Sequence, residues 1–168
     1  AIYAFLGVIS YVFINRLNYT LQDVSISLVL VMLGVWFGCL AASRLVDRIP
    51  IEQMILIGSL INLVSATVLL LCVVSGYINA FSLMAPVVIY CFGSGITAPA
   101  SLSKALSINP WVAGSTSGIY GFMQMLVGAL CTSLSGLGDD PALAAAIVLF
   151  GSCLIAQLCF KVAKLSGR

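Results

Sequence analysis

Six apolar runs, separated by short segments that hold almost every charged residue, constrain this chain more than any other feature. The runs cover residues 1–14, 24–43, 51–74, 80–103, 111–135 and 141–160. Charged residues make up 7% of the chain and hydrophobic residues 62%, and the mean hydropathy is +1.20. Water-soluble domains carry about 25% charged residues. A soluble core of this size cannot hide so much apolar surface, so the sequence predicts an integral membrane protein.

The length of the runs predicts helices rather than strands. Five runs hold 20 to 25 residues, enough at about 1.5 Å per residue to cross a hydrocarbon core of roughly 30 Å. None alternates as the strands of a membrane barrel do. We therefore expect an all-α integral membrane fold with six transmembrane helices in a single domain, residues 1–168. The first run is too short to span, so we expect that the chain begins inside a helix of a longer protein; a complete protein with a short first helix is the alternative.

The distribution of basic residues predicts an orientation. Because successive connections alternate sides, one side receives six basic residues, Arg44, Arg48, Lys104, Lys161, Lys164 and Arg168. The other side receives Arg16 together with Asp23, Asp139 and Asp140. Loops rich in Lys and Arg remain in the cytoplasm. We expect a cytoplasmic C-terminus, with the basic residues acting as topology anchors and contacts to lipid headgroups.

Small and polar residues form lines within the runs. In the fifth run Ser117, Gly121, Gln124, Gly128 and Cys131 recur at helical spacing, with Gly114 and Gly118 beside them. In the second run Gly34 and Gly38 would let a neighbouring backbone approach closely. These lines predict inner helices, whereas the third and sixth runs, made mainly of Leu, Ile, Val and Ala, predict outer, lipid-facing ones.

The fourth run has its own polar line, Tyr90, Ser94, Thr97 and Ser101, with Lys104 at its mouth. It also contains Pro86 and Pro99 among glycines, which predicts an interrupted or bent helix. Bent helices at membrane depth occur where backbone lines a cavity. A packing face is the competing interpretation of every such line. The candidate cavity residues are Tyr11, Tyr90, Ser94, Thr97, Tyr120 and Gln124.

Several chemistries lack the residues they need. The chain has no histidine, and its carboxylates all lie at the ends of runs or in loops, so general acid–base catalysis and proton relay have no obvious group here. The segment from Gly114 to Gly118 resembles a nucleophile elbow, but Thr116 takes the central position and no base exists for it. We expect no enzyme activity, cofactor, metal or disulfide, with the cysteines acting as small hydrophobes: Cys39, Cys72, Cys91, Cys131, Cys153 and Cys159.

Two segments resemble a known family. The loop Ser43-Arg-Leu-Val-Asp-Arg-Ile-Pro50 resembles the second copy of the major facilitator signature loop, matching it at Leu45, Asp47 and Arg48. It departs from that pattern at Ser43, Pro50 and Glu52. The segments 98–107 and 113–130 are similar to the tenth and eleventh helices of the Bcr/CflA-type drug-efflux branch, where an Ala-Gly-x-Ala-Ser/Ser-x-x-Gly pattern opens the eleventh helix.

The resemblance implies that these helices are helices seven to twelve of a twelve-helix transporter, built from two inverted three-helix repeats. It implies export of small amphipathic drugs by proton antiport across the bacterial inner membrane, with the coupling acids in an N-terminal six-helix half. The expected partners are that half, the lipid bilayer, a small-molecule substrate and the proton. Arg44, Asp47 and Arg48 would form a cytoplasmic gating loop, with Asp47 and Arg48 as a latch.

Other functions remain open at this stage. A self-contained six-helix protein could assemble into an oligomeric carrier or pore. A member of the same superfamily could carry sugars, amino acids or organic anions, although the lack of intramembrane Arg or Lys favours neutral or cationic cargo. A membrane-embedded enzyme is disfavoured by the missing histidines and intramembrane acids.

Overall fold

The computed structural model of the chain describes residues 21–75, 80–108, 110–135 and 141–166. Its long elements are five helices: α1 Leu21–Leu45, α2 Ile51–Val74, α3 Ala80–Ile108, α4 Ala113–Ser135 and α5 Pro141–Ser166. They correspond to the second to sixth apolar runs, while the first run and Tyr11 lie outside the described residues. All five are long and apolar enough to cross a membrane. The all-helical prediction is confirmed for this part of the chain, and the helices indicate an integral membrane protein.

Local sequence explains where the helices begin and end. α2 starts after Pro50 and carries Glu52 in its first turn, where the helix dipole favours an acid. α4 begins later than the sequence predicts, because Pro110–Val112 forms a separate 3₁₀ turn before Ala113. Proline fits the first turn of a helix, and short 3₁₀ turns are common at helix starts. Pro110 therefore opens the 3₁₀ turn rather than α4 itself.

The third helix is the centre of the molecule. The larger buried cluster contains Val87 and Cys91 of α3, and it draws on three other helices, for example through Val31, Leu69 and Leu149. α3 packs most extensively against α2 and α1. The polar line of the fourth run lies on α3. Since α3 is surrounded by other helices of this chain, the polar side chains of that line contact those helices.

α3 is one continuous helix of 29 residues with Pro86 and Pro99 inside it, so the predicted interruption is wrong, whereas the alternative of a bend stays a prediction. Proline removes a backbone donor but does not break a membrane helix when neighbouring groups satisfy the backbone. Ser65 of α2 packs beside this point, since its hydroxyl donates a hydrogen bond to the carbonyl of Pro86. This bond does not replace the one that proline removes, because the carbonyl left without its helical donor is that of Ser82, four residues earlier.

The exposure of α4 and the contacts of α2 differ from what the polarity of their sequences predicts. Of the described side chains of α4, only those of Cys131 and Ser135, with Gly128 beside them, are buried, although the sequence predicts an inner helix. α2, predicted to be outer, contacts both α3 and α5. α2 achieves this by burying Gly58, Ala66 and Leu69. The small residues permit close approach, while other aliphatic side chains, such as Leu60 and Val64, are exposed.

Contacts between helices fix which ends lie together. Gly34 lies beside Val88 and Gly38 beside Phe92, so α1 and α3 run in the same direction. The start of α2 meets the end of α3 where Glu52 pairs with Lys104. Ser59, early in α2, bonds to Gln157, late in α5. One end of the bundle therefore holds these described charged residues, which we call the charged end: Arg44, Asp47, Arg48, Glu52, Lys104 and Lys161.

Candidate functional site

Glycines bring α1 and α3 into backbone contact. A Cβ atom added to Gly34 would lie 2.8 Å from the carbonyl oxygen of Val88, and one added to Gly38 would lie 2.9 Å from the Cα atom of Gly95. Real Cβ atoms almost never approach so closely. The space between these helices thus has room for glycine and for no larger residue, which makes this face a packing surface.

Glycines also bring α2 and α3 close together, and a polar contact joins the same two helices. Gly58 lies against Thr97, and a Cβ on Gly93 would lie 2.9 Å from the carbonyl oxygen of Gly58. Asn62 donates a hydrogen bond of 3.3 Å from its Nδ2 to the Oγ of Ser94. The Oδ1 atom of Asn62 is buried and has no hydrogen-bond partner among the described residues. Two candidate cavity residues, Ser94 and Thr97, therefore lie at the α2–α3 contact in this conformation.

Thr97 also bonds within its own helix. Its Oγ1 donates to the carbonyl of Gly93 at 2.9 Å, the back-bonding that Thr commonly makes inside a helix. This carbonyl stands one turn before Thr97, so the hydroxyl is satisfied without a ligand. A substrate that used Thr97 would have to share or replace this bond.

Tyr90 connects α3 to α5. Its side chain is buried, and the thiol of Cys153 donates to the tyrosine hydroxyl at a sulfur–oxygen distance of 3.8 Å. Thiols are weak donors, so this contact contributes little beyond packing. Tyr90 thus belongs to the bundle interior, and it reaches a ligand only if α5 or α3 moves.

Tyr120 connects α4 to α3. Its hydroxyl lies 2.8 Å from the Oγ of Ser101, and its side chain is partly exposed. Ser101 also bonds to the carbonyl of Ala98 at 3.0 Å. The polar line of α3 therefore reaches α2 through Ser94, α5 through Tyr90 and α4 through Ser101, rather than facing one common cavity.

The half of α4 nearest the charged end leaves its small-residue face open. Apart from the local backbone of α4, no heavy atom of the described residues lies within 4 Å of a Cβ built on Gly114, Gly118 or Gly121. Gln124 and Ser117 on the same face are exposed. In the other half of α4 this face is packed, since Gly128 is buried. The glycine line of α4 is thus divided into a packed half and a half with no described neighbour.

The charged end contains one ion pair among the described residues. Lys104 Nζ lies 2.8 Å from Glu52 Oε1, and both side chains are about half exposed. Pairs with this exposure contribute about 0–1 kcal/mol. Arg44, Asp47 and Arg48 of the expected gating loop are exposed, and within the described part of the chain none of the three takes part in an ion pair.

Sequence reasoning identified most polar residues but not their partners. It missed the bond from Ser65 to Pro86 and the 3.0 Å bond from Gln157 Nε2 to Ser59 Oγ. A serine facing a proline carbonyl on another helix leaves no local pattern in sequence. Polarity alone at Gln157, on a mainly aliphatic helix, is the one feature that could have indicated an interhelical bond.

Metal binding has no support in the described part of the chain, where no group of three or more His, Cys, Asp or Glu side chains is placed to hold an ion. The six cysteines are free thiols. Comparison with protein-family models, with curated proteins and with solved structures gives no match to this chain.

Proposed function

We propose that this chain forms the C-terminal half of a secondary transporter of the major facilitator type that exports small amphipathic drugs in exchange for protons. Its helices α1 to α5 would be helices eight to twelve, in a bacterial inner membrane with the charged end in the cytoplasm. The resemblance of the 43–50 loop and of the segments 98–107 and 113–130 supports this assignment. Because the carboxylates of this chain lie at the ends of its apolar runs or in loops, the coupling acids of the proposed antiport would lie in the other half.

The open face of α4 is the observation that carries the proposal. Gln124 is a polar amide, exposed in the middle of a helix that is apolar enough to span a membrane. Such a group avoids hydrocarbon and faces protein or water. Among the described residues nothing fills the space beside Gly118 and Gly121, so another backbone could approach there. A water-filled substrate cavity shared with a second helical bundle satisfies both requirements.

Alternating access assigns roles to the candidate residues. Gln124, on the open face, would contact substrate directly, while Ser94, Thr97, Tyr90 and Tyr120 would become available when their interhelical contacts open. The charged end would close in the outward-facing state. No role requires chemistry on the substrate, so the function needs binding and motion alone.

Dye efflux tests the proposal. Cells expressing the protein should extrude a fluorescent amphipathic cation, and a protonophore that collapses the proton gradient should abolish this export. Retention of the dye at the level of cells without the protein, at normal membrane abundance, would contradict drug export. Efflux that survives the protonophore would contradict proton coupling.

A carrier or pore assembled from several copies is the second candidate, since the open glycines of α4 could also receive a second copy. Gly118→Leu and Gly151→Leu form a matched pair, because no atom from another described part of the chain lies where a Cβ of either glycine would stand. Neither leucine should destabilise the protein by overpacking, so a difference between the variants would report on the α4 face. In a two-half transporter Gly118→Leu should impair transport by a monomeric protein, and Gly151→Leu should not. Conversion of an oligomer to monomers by Gly118→Leu would favour the second candidate.

A further inference from the structure

Two arginines at the charged end lie on adjacent turns. Arg44 lies in the last turn of α1, and Arg48 lies in the turn that follows it, where its N–H donates a hydrogen bond of 2.9 Å to the Leu45 carbonyl. Both arginines therefore lie at the same end of α1, close together along the chain. Both are exposed, and neither pairs with a carboxylate among the described residues.

A track of exposed apolar side chains runs along α1 from Arg44 toward the start of the helix. Counting back from Arg44 by helical steps leads to Leu40, Phe37 and Leu33, whose exposures are 40%, 53% and 42%. A cationic pair above an apolar track on a spanning helix matches an amphipathic molecule that carries a negative head and a hydrocarbon tail.

The electrostatic balance of this end favours an anion. Its described residues comprise four cations and two carboxylates, and Glu52 is already paired with Lys104. The partial negative charge at the end of α1 opposes an anion, but the start of α2 contributes a partial positive charge on the same end. Trp111, at this end and 96% exposed, is a residue typical of the membrane interface.

We propose that Arg44 and Arg48 bind the phosphate group of an anionic phospholipid, whose acyl chain lies along Leu40 and Phe37. Arginine suits this role because its planar fork donates two hydrogen bonds to phosphate oxygens. The apolar track distinguishes a lipid from free phosphate, which would gain nothing from it. This inference does not depend on what the protein transports.

Lipid affinity measured on the full chain tests the proposal. Native mass spectrometry of the detergent-purified protein should show phosphatidylglycerol binding about tenfold more tightly than phosphatidylcholine, since each basic residue near the lipid surface strengthens binding several-fold. Arg44→Gln with Arg48→Gln should abolish that preference. Lys104→Gln with Lys161→Gln removes the same charge from the same end and should preserve most of it.

Four results would overturn the proposal. The unchanged protein could show no preference for phosphatidylglycerol, a result that needs no variant. The arginine variant, shown by circular dichroism to be folded, could keep the preference, or the lysine variant could lose as much, which would indicate diffuse attraction. Displacement of phosphatidylglycerol by glycerol phosphate at equal concentration would indicate a site for a soluble phosphate, whereas persistence of the lipid supports the acyl-chain contact.

Discussion

Tyr120 of α4 and Ser101 of α3 join their helices by a hydrogen bond of 2.8 Å between the phenolic oxygen and Oγ. Around Tyr120, α4 has open space on its glycine face, so this bond holds a sparsely packed half-helix to the centre of the bundle. A substrate that binds the Tyr120 hydroxyl would compete with Ser101. The pair thus connects the packing of α4 to its proposed role in transport.

Removal of this bond should have a modest, coupled effect. Tyr120→Phe and Ser101→Ala should each lower the free energy of unfolding by about 0.6–1.7 kcal/mol, the range measured for hydrogen bonds between membrane helices. The double variant should lose no more than the larger single effect, because one bond is removed in each case. Unfolding in mixed micelles, followed by circular dichroism, measures this.

Ser117→Ala provides the control, because the Ser117 hydroxyl bonds within its own helix to the carbonyl of Gly114. It should leave stability nearly unchanged. Fully additive losses for Tyr120→Phe and Ser101→Ala would show that the bond contributes nothing in the folded protein.

Two glycines predict opposite outcomes when they are replaced by alanine, because Gly38 lies in the α1–α3 contact and Gly151 lies on α5 away from other described atoms. Gly38→Ala would place a Cβ 2.9 Å from the Cα of Gly95, and overpacking of this kind costs about 1–3 kcal/mol. Gly151→Ala enters open space and should be neutral or stabilising by up to about 1 kcal/mol, since alanine favours a helix over glycine. Equal stability of the two variants in mixed micelles would refute tight α1–α3 packing.

These contacts show how far the sequence could predict the structure. Hydropathy placed the five described helices correctly, because crossing a bilayer requires a long apolar run. The line from Tyr90 to Lys104 was visible, but its division among three neighbours was not, because a helical pattern shows a face and not what covers it. The continuity of α3 through Pro86 was not visible either, because a proline inside an apolar run favours a break or a bend, and its neighbours in the fold decide the outcome.

The difference in packing between the two halves of α4 could not be predicted from the sequence either. Gly114, Gly118, Gly121 and Gly128 follow the same pattern in sequence. Yet Gly128 is buried, whereas no atom from another described part of the chain lies where a Cβ of the other three would stand. Spacing predicts that glycines favour close approach. Which of them already has a described partner depends on the angle between helices, and that angle is set by residues elsewhere.

Asp47→Asn tests the gating loop. Because Asp47 is exposed and forms no ion pair with a described residue, stability should change by less than about 0.5 kcal/mol. If Asp47 forms a latch in the outward-facing state, loss of one charge-assisted bond, about 1.5–3 kcal/mol, should slow dye efflux by about tenfold to a hundredfold. Efflux per molecule of protein in the membrane is the measurement.

Glu52→Gln is the matched control for Asp47→Asn, since it removes another carboxylate from the charged end. The exposed pair that Glu52 makes with Lys104 contributes about 0–1 kcal/mol, so efflux should remain near normal. Undiminished efflux by a well-expressed Asp47→Asn protein would refute the latch, and equal slowing by Glu52→Gln would indicate a general charge effect.

Gln124→Ala should change which drugs are exported more than how much protein reaches the membrane. The side chain is exposed on the open face of α4, so its removal leaves no buried group unsatisfied and should cost little stability. A ligand whose hydrogen bond to the amide is lost should be exported about fivefold to tenfold more slowly, since such a bond contributes about 1 kcal/mol. Apolar ligands of the same size should be unaffected.

Two further variants separate substrate contact from packing. Met125→Ala also removes an exposed side chain of α4, but a residue beside the polar line that faces lipid should leave the drug profile unchanged. Tyr90→Phe removes a hydroxyl that is buried against Cys153, and it should alter the profile only if α3 and α5 separate during transport. If Gln124→Ala instead reduces the export of all drugs equally, in step with lower membrane abundance, Gln124 stabilises helix packing and does not contact substrate.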